Sequence, residues 1–141
     1  MSISLFLEVE AGADLAAVLH ALDSIQAEYA DGTDGLHGYL PASNTGFGFG
    51  IVDPPEALVA EGIGAEWQVG LVGSFHFRAS GFESAWEGNC RFIKRYAATC
   101  GFRFVLFFQF ESVYAARLGK DLVFPGPAAL KCWIPGRLAP A

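Results

Sequence analysis

Apolar and polar residues alternate from Ser2 to Val9, with Ile3, Leu5, Leu7 and Val9 on one side and Ser2, Ser4, Phe6 and Glu8 on the other. A period of two is that of a half-buried strand. The period then lengthens. Leu15, Val18, Leu19, Leu22, Ile25 and Tyr29 recur at helical spacing and predict a helix over 13–30. Asp14 suits the positive end of its dipole, and Asp31-Gly32 is placed to end it. Residues 36–41 and 46–52 predict a hairpin around Ala42–Thr45, in which Phe47, Phe49 and Ile51 share one face and Gly46, Gly48 and Gly50 the other. Asp53-Pro54-Pro55-Glu56 predicts a strand stop and a short helical turn through Val59. A third strand of this meander is predicted at 67–78, with Val69, Leu71, Phe75 and Phe77 pointing one way and Val72, Ser74, His76 and Arg78 the other. Ser80-Gly81 opens a second helix, 82–100, with Phe82, Trp86, Cys90, Ile93 and Ala97 as its buried stripe and Gly101 as its C′ residue. Residues 103–110 are apolar on both faces, as in a central strand. Pro125, Pro127, Pro135 and Pro140 make the remainder irregular, with short pieces expected at Leu122–Phe124 and Leu130–Ile134.

The predicted order is β-α-β-β-β-α-β and then a Pro-rich tail, 119–141, packing on or beside the sheet. This is an α+β fold in one domain, 1–141: a mixed, mainly antiparallel sheet with two helices packed on one face. The other face would carry Phe6, Val72, His76, Val105, Phe107 and Gln109, and is either covered by the tail or left open as a binding surface. An apolar fraction of 52% excludes a disordered chain. No apolar run reaches the length of a membrane span. The N-terminus has no positive region and meets Glu8, unlike a secretory signal. Cys90, Cys100 and Cys132 are odd in number and scattered, so the expectation is a reduced, cytoplasmic protein, monomeric when free.

Charge is divided unevenly. Residues 1–77 hold eleven acids and no Lys or Arg, while 78–141 hold nine bases and four acids, so the two parts carry −11 and +5 and the chain −6. An acidic surface keeps a small protein soluble. It also matches a basic protein partner, whose encounter the field accelerates. Direct binding to nucleic acid is disfavoured, because phosphates require a basic face.

No catalytic, cofactor or metal motif stands out. Gly46-Phe47-Gly48-Phe49-Gly50 lies within a strand and before a Pro-Pro break, whereas a phosphate loop leads from strand to helix. His20, His37 and His76 lack a third ligand at useful spacing. Cys90 and Cys100 stand on one helix, too far apart to bridge. Ser112 and Tyr114 beside Glu111 follow a strand, but no base is positioned for them. Glu111, Tyr114 and Arg117 read as a structural network. Trp86 belongs to a helix core. Trp67, beside Glu61 and Glu66, is either a core cover at a strand end or a partner anchor.

The strand SISLFLEV with the amphipathic helix after it, the hairpin LHGYLPASNTGFGFGIV, and FIKRYAATCGFRFVLFFQFESVYAAR resemble, in order and texture over most of 1–117, the small immunity proteins of bacterial contact-dependent growth inhibition and related polymorphic toxin systems. That resemblance implies a non-enzymatic protein without cofactor or metal. It implies tight binding to the C-terminal domain of a cognate toxin, often a nuclease such as a transfer-RNA-cleaving one, with its active site blocked. A nuclease presents a basic cleft for phosphates, so an acidic inhibitor is physically sensible. The residues expected to meet the partner are Asp31, Asp34, Asp53, Glu56, Glu61 and Glu66, with Trp67 as anchor. The alternative is a small-molecule-binding protein or enzyme using the open sheet face, with His37, His76 and Gln109 around Phe107.

Overall fold

The alternation that begins the chain becomes strand β1, Ser2–Glu10, at the middle of the molecule. The computed structural model describes residues 2–32, 35–59, 67–108 and 112–124. After β1 come helix α1 (Leu15–Ser24), strands β2 (Glu28–Gly32), β3 (Gly35–Leu40), β4 (Thr45–Glu56) and β5 (Val69–Arg78), helix α2 (Phe82–Thr99), and strands β6 (Phe104–Phe108), β7 (Ser112–Arg117) and β8 (Leu122–Val123). The strands form one sheet in the order β2-β3-β4-β5-β1-β6-β7-β8, and every pairing is antiparallel. The expected α+β fold with two helices on one face is therefore the observed one, with three strands more than expected: β2, β7 and β8.

Leu5, Leu7 and Val9 of β1 meet Phe47 and Phe49 of β4, Leu71 and Phe75 of β5, and Phe104 and Leu106 of β6 in a core roofed by both helices. α2 contributes more than its predicted stripe. Ala85, Phe92 and Tyr96 are buried beside Trp86, Cys90 and Ile93. A smaller cluster of Trp67, Val69, Val105, Phe107 and Ala116 lies apart from it. Strand β6 thus has an apolar side chain on each face, as its unbroken apolar run predicts.

The first helix is shorter than the periodicity implies. It is capped by Asp14, whose carboxylate accepts from Ala16 N at 3.0 Å, and it ends at Ser24. Gln26 turns left-handed, φ 61°, and residues 28–32 pair with β3 instead. Tyr29 fits the helical spacing by coincidence; its phenol reaches back from β2 to donate to Asp23 Oδ1 at 2.7 Å. Pairing with β3 gives the inward-facing backbone groups of this segment partners and extends the sheet by one strand, which outweighs a weak helical preference. Gly38 makes the pairing possible, because a Cβ there would stand 2.0 Å from the Glu28 carbonyl oxygen.

Three further expectations are corrected. Asp53-Pro54-Pro55-Glu56 neither stops the strand nor starts a helical turn. β4 continues to Glu56, and the prolines occupy an irregularity between the pairs Ile51↔Leu71 and Glu56↔Val69, where no ladder donor is needed. The pairing of β1 with β5 also slips, between Val9↔Leu71 and Glu10↔Val69, so Val69 joins the smaller cluster rather than the face of Leu71. α2 ends on extended Cys100, φ −125°, and not on a left-handed glycine.

The end of α2 is held from a distant strand. Arg117, at the end of β7, is 8% exposed. Its guanidinium donates to the carbonyl oxygens of Ala97, Cys100 and Phe102 and lies 5.3 Å over the Phe104 ring. Arg117 thus has a structural role, but its partners are these carbonyls, while Tyr114 packs against Trp86 and Phe108. Glu111 and Leu130–Ile134 lie outside the described residues, while the short piece expected at Leu122–Phe124 is the two-residue edge strand Leu122–Val123.

Two outcomes test these contacts. Arg117→Met orphans three carbonyls at once and should lower stability by about 3 kcal/mol, read as a shift in the urea midpoint at unchanged slope. A loss under about 1 kcal/mol would remove the clamp from the account. Gly38→Ala should release β2 while the remaining sheet stays folded. Hydrogen exchange should accelerate at residues 28–32 and remain slow in β1 and β5.

Candidate binding surface at the acidic end of the sheet

Strand register decides which loops are neighbours. Leu36 pairs with Asp31 on one side and Phe49 on the other, and Ile51 pairs with Leu71, which pairs with Val9. The β2–β3 turn, the end of β4, the start of β5 and the end of β1 therefore share one end of the sheet. Backbone Asp31, Asp53 and Glu56 all stand there. Asp53 and Glu56 are exposed and, among the described residues, have no ion-pair partner. Asp34, Glu61 and Glu66 lie outside the described residues.

Glu10 also belongs to this end, but its charge is answered. Arg103 donates to it from both its backbone N–H, at 3.0 Å, and its guanidinium. That guanidinium bond holds the Glu10 carboxyl below the usual carboxylate range.

Trp67 is buried, 8% exposed, in the smaller cluster with Val69, Val105 and Phe107. This is the position of a core cover. The large apolar side chains exposed nearby are Ile51 and Val59.

The sheet face away from the helices falls into two halves. In one, Val52 and Leu58 pack on the smaller cluster, so the segment after β4 supplies the cover. Glu8, 5% exposed, fastens that segment: the Val59 N–H donates to both its carboxylate oxygens, at 3.0 and 3.1 Å. This role was not read from the sequence. Its signal was an acid at an alternating position flanked by apolar neighbours on a central strand.

The other half is exposed. Gly46, Gly48 and Gly50 leave β4 without side chains between His37 and Tyr39 of β3 and Val72, Ser74 and His76 of β5. His76 is fixed by two hydroxyls, with Ser4 Oγ 2.7 Å from Nδ1 and Ser74 Oγ 3.1 Å from Nε2. Phe6 packs against Phe107 at 5.9 Å between ring centroids, beside a shallow apolar cavity of about 200 Å³. Phe6, Val72, His76 and Phe107 thus lie where the alternation predicts, while Gln109 lies outside the described residues. The expected polar set does not converge. His37 is four strand spacings from Phe107 in the sheet order, roughly 19 Å. No group of three or more His, Cys, Asp or Glu is arranged for a metal among the described residues. None of the described helices is long and apolar enough to cross a membrane.

The tether at Glu8 has a direct check. Glu8→Ala should expose the Val59 amide to fast hydrogen exchange and cost about 1–3 kcal/mol, whereas Glu8→Gln, which keeps an acceptor oxygen, should retain most of the protection. Unchanged Val59 exchange in Glu8→Ala would show that the segment is held elsewhere.

Comparison with known proteins finds no family model that matches the chain, no curated protein and no solved structure similar to it.

Proposed function

We propose that this protein is a non-enzymatic inhibitor of the kind its sequence resembles: an immunity protein that neutralises a cognate toxin domain, a transfer-RNA-cleaving nuclease, by occluding its basic cleft. What supports the reading above all is that the exposed carboxylates Asp53 and Glu56 of β4 stand, without an ion-pair partner among the described residues, at the end of the sheet to which strand register also brings the backbone of Asp31. Carboxylates of this kind stand in for the phosphates the cleft evolved to hold. Ile51 and Val59, exposed at the same end, supply apolar anchors in place of buried Trp67.

The small-molecule reading has less behind it. The apolar cavity beside Phe6 is about 200 Å³, below the roughly 300 Å³ at which ligand pockets begin. Neither His37 nor His76 lines it.

The class is tested by capture of the product of the adjacent upstream gene and by the kinetics of the complex. A one-to-one complex with a basic nuclease domain is the expected result. Raising ionic strength from about 0.05 M to 1 M shortens the screening length to about 3 Å. The association rate should then fall by about tenfold or more, with less change in dissociation. Asp53→Lys with Glu56→Lys should weaken the complex without unfolding the protein. Asp14 and Asp23 are unsuitable as controls, since one caps α1 and the other accepts from Tyr29. Exposed Glu87 on α2, reversed to Lys, serves instead. Equal losses in both variants, or an association rate indifferent to salt, would overturn the assignment.

A further inference from the structure

Away from the acidic end, a cleft of about 390 Å³ lies between the end of α1, the start of β2, the β3–β4 turn and α2. Its walls are built in. Ile25 N and Ala27 N donate to the Leu22 carbonyl and Gln26 N to that of Asp23, which fixes the chain leaving α1. Ser43 N donates to Leu40 O, and the Ser43 and Thr45 hydroxyls are 2.9 Å apart, which fixes the turn. Gly88 lets α2 approach that turn, since a Cβ there would stand 3.3 Å from Ser43 Oγ and 3.4 Å from Leu40 Cδ1.

Glu28 of β2 and Arg91 of α2 both line the cleft and are exposed. Neither has an ion-pair or hydrogen-bond partner among the described residues. Both charges are therefore available to a ligand group of opposite sign. Gln26 and Asn44, φ 61° and 52°, are the described non-glycine residues with left-handed backbone. Gln26 lines the cleft and Asn44 follows Ser43 in its rim. Backbone held in sparsely populated regions collects at ligand sites.

We propose that this cleft binds a small zwitterion of the amino-acid type, with its carboxylate on Arg91, its ammonium on Glu28 and its body against Ile25, Leu40 and Pro41. A simple anion would face Glu28, a simple cation would face Arg91, and a neutral apolar molecule would strip water from both charges with nothing in return. A zwitterion answers the two together, and Arg is suited to a carboxylate because its donors form a planar fork.

The probe is L-leucine, followed by backbone amide NMR of the whole chain, with N-acetyl-leucine lacking the ammonium and leucinamide lacking the carboxylate. Saturable shifts at Ile25, Ser43 and Gly88, with each analogue weaker by about tenfold or more, are expected; tenfold corresponds to about 1.4 kcal/mol for one lost charged contact. Arg91→Met should abolish the preference for leucine over leucinamide, and Glu28→Gln that for leucine over N-acetyl-leucine. Both positions are exposed, so the fold should be kept, and an unchanged amide spectrum elsewhere checks that. Equal shifts with all three compounds, or no saturable shift with leucine or with a mixture of the free proteinogenic amino acids, would overturn the proposal. Toxin binding at the other end of the sheet is untouched by either result.

Discussion

Phe92 of α2 lies 5.4 Å, between ring centroids, from both Phe49 of β4 and Phe75 of β5, and it stacks on Tyr96 at 5.7 Å. Tyr96 in turn meets Phe104 of β6 at 5.6 Å. This continuous run of rings joins one helix to three strands. Removal of a buried Phe costs about 3–5 kcal/mol, so α2 has little freedom to move along the sheet. The helix-side core places the large rings of β4 on one face and leaves glycine on the other.

The ends of the strands are set by different means. Arg117 reaches across from β7 to satisfy the carbonyls where α2 stops, and Arg103 occupies Glu10 at the end of β1. Both bases come from the basic second part of the chain, and each serves a local purpose near β6. Among the described residues, the acidic first part receives no such answer at Asp53 and Glu56. On the function proposed above, these two carboxylates would give a basic partner both a direction of approach and a place to stop. Coverage of half the open face by the segment after β4, tethered at Glu8, adds apolar Ile51 and Val59 near the same place.

The period of two in Ser2–Val9 and in the hairpin, and the helical stripe of 82–99, were enough to determine the central strands, the second helix and the faces they bury. Burial of one face enforces such patterns, so they are written locally. Burial on both faces likewise marked β6, and the uneven charge was visible from a count. Other features depend on partners distant in the chain. Residues 28–32 show helical spacing yet form a strand, because β3 offers a hydrogen-bonding edge and Gly38 lets it approach. Val69 changes face through a slip in pairing that no alternation records. Arg117 spells only a base at the end of a short apolar segment, and its partners are carbonyls, which carry no sequence signal. Only the tertiary structure could set Glu28 beside Arg91 or bring Asp31 to the end of the sheet that holds Asp53, since strand order and register fix these distances and both are decided by the packing of the whole core.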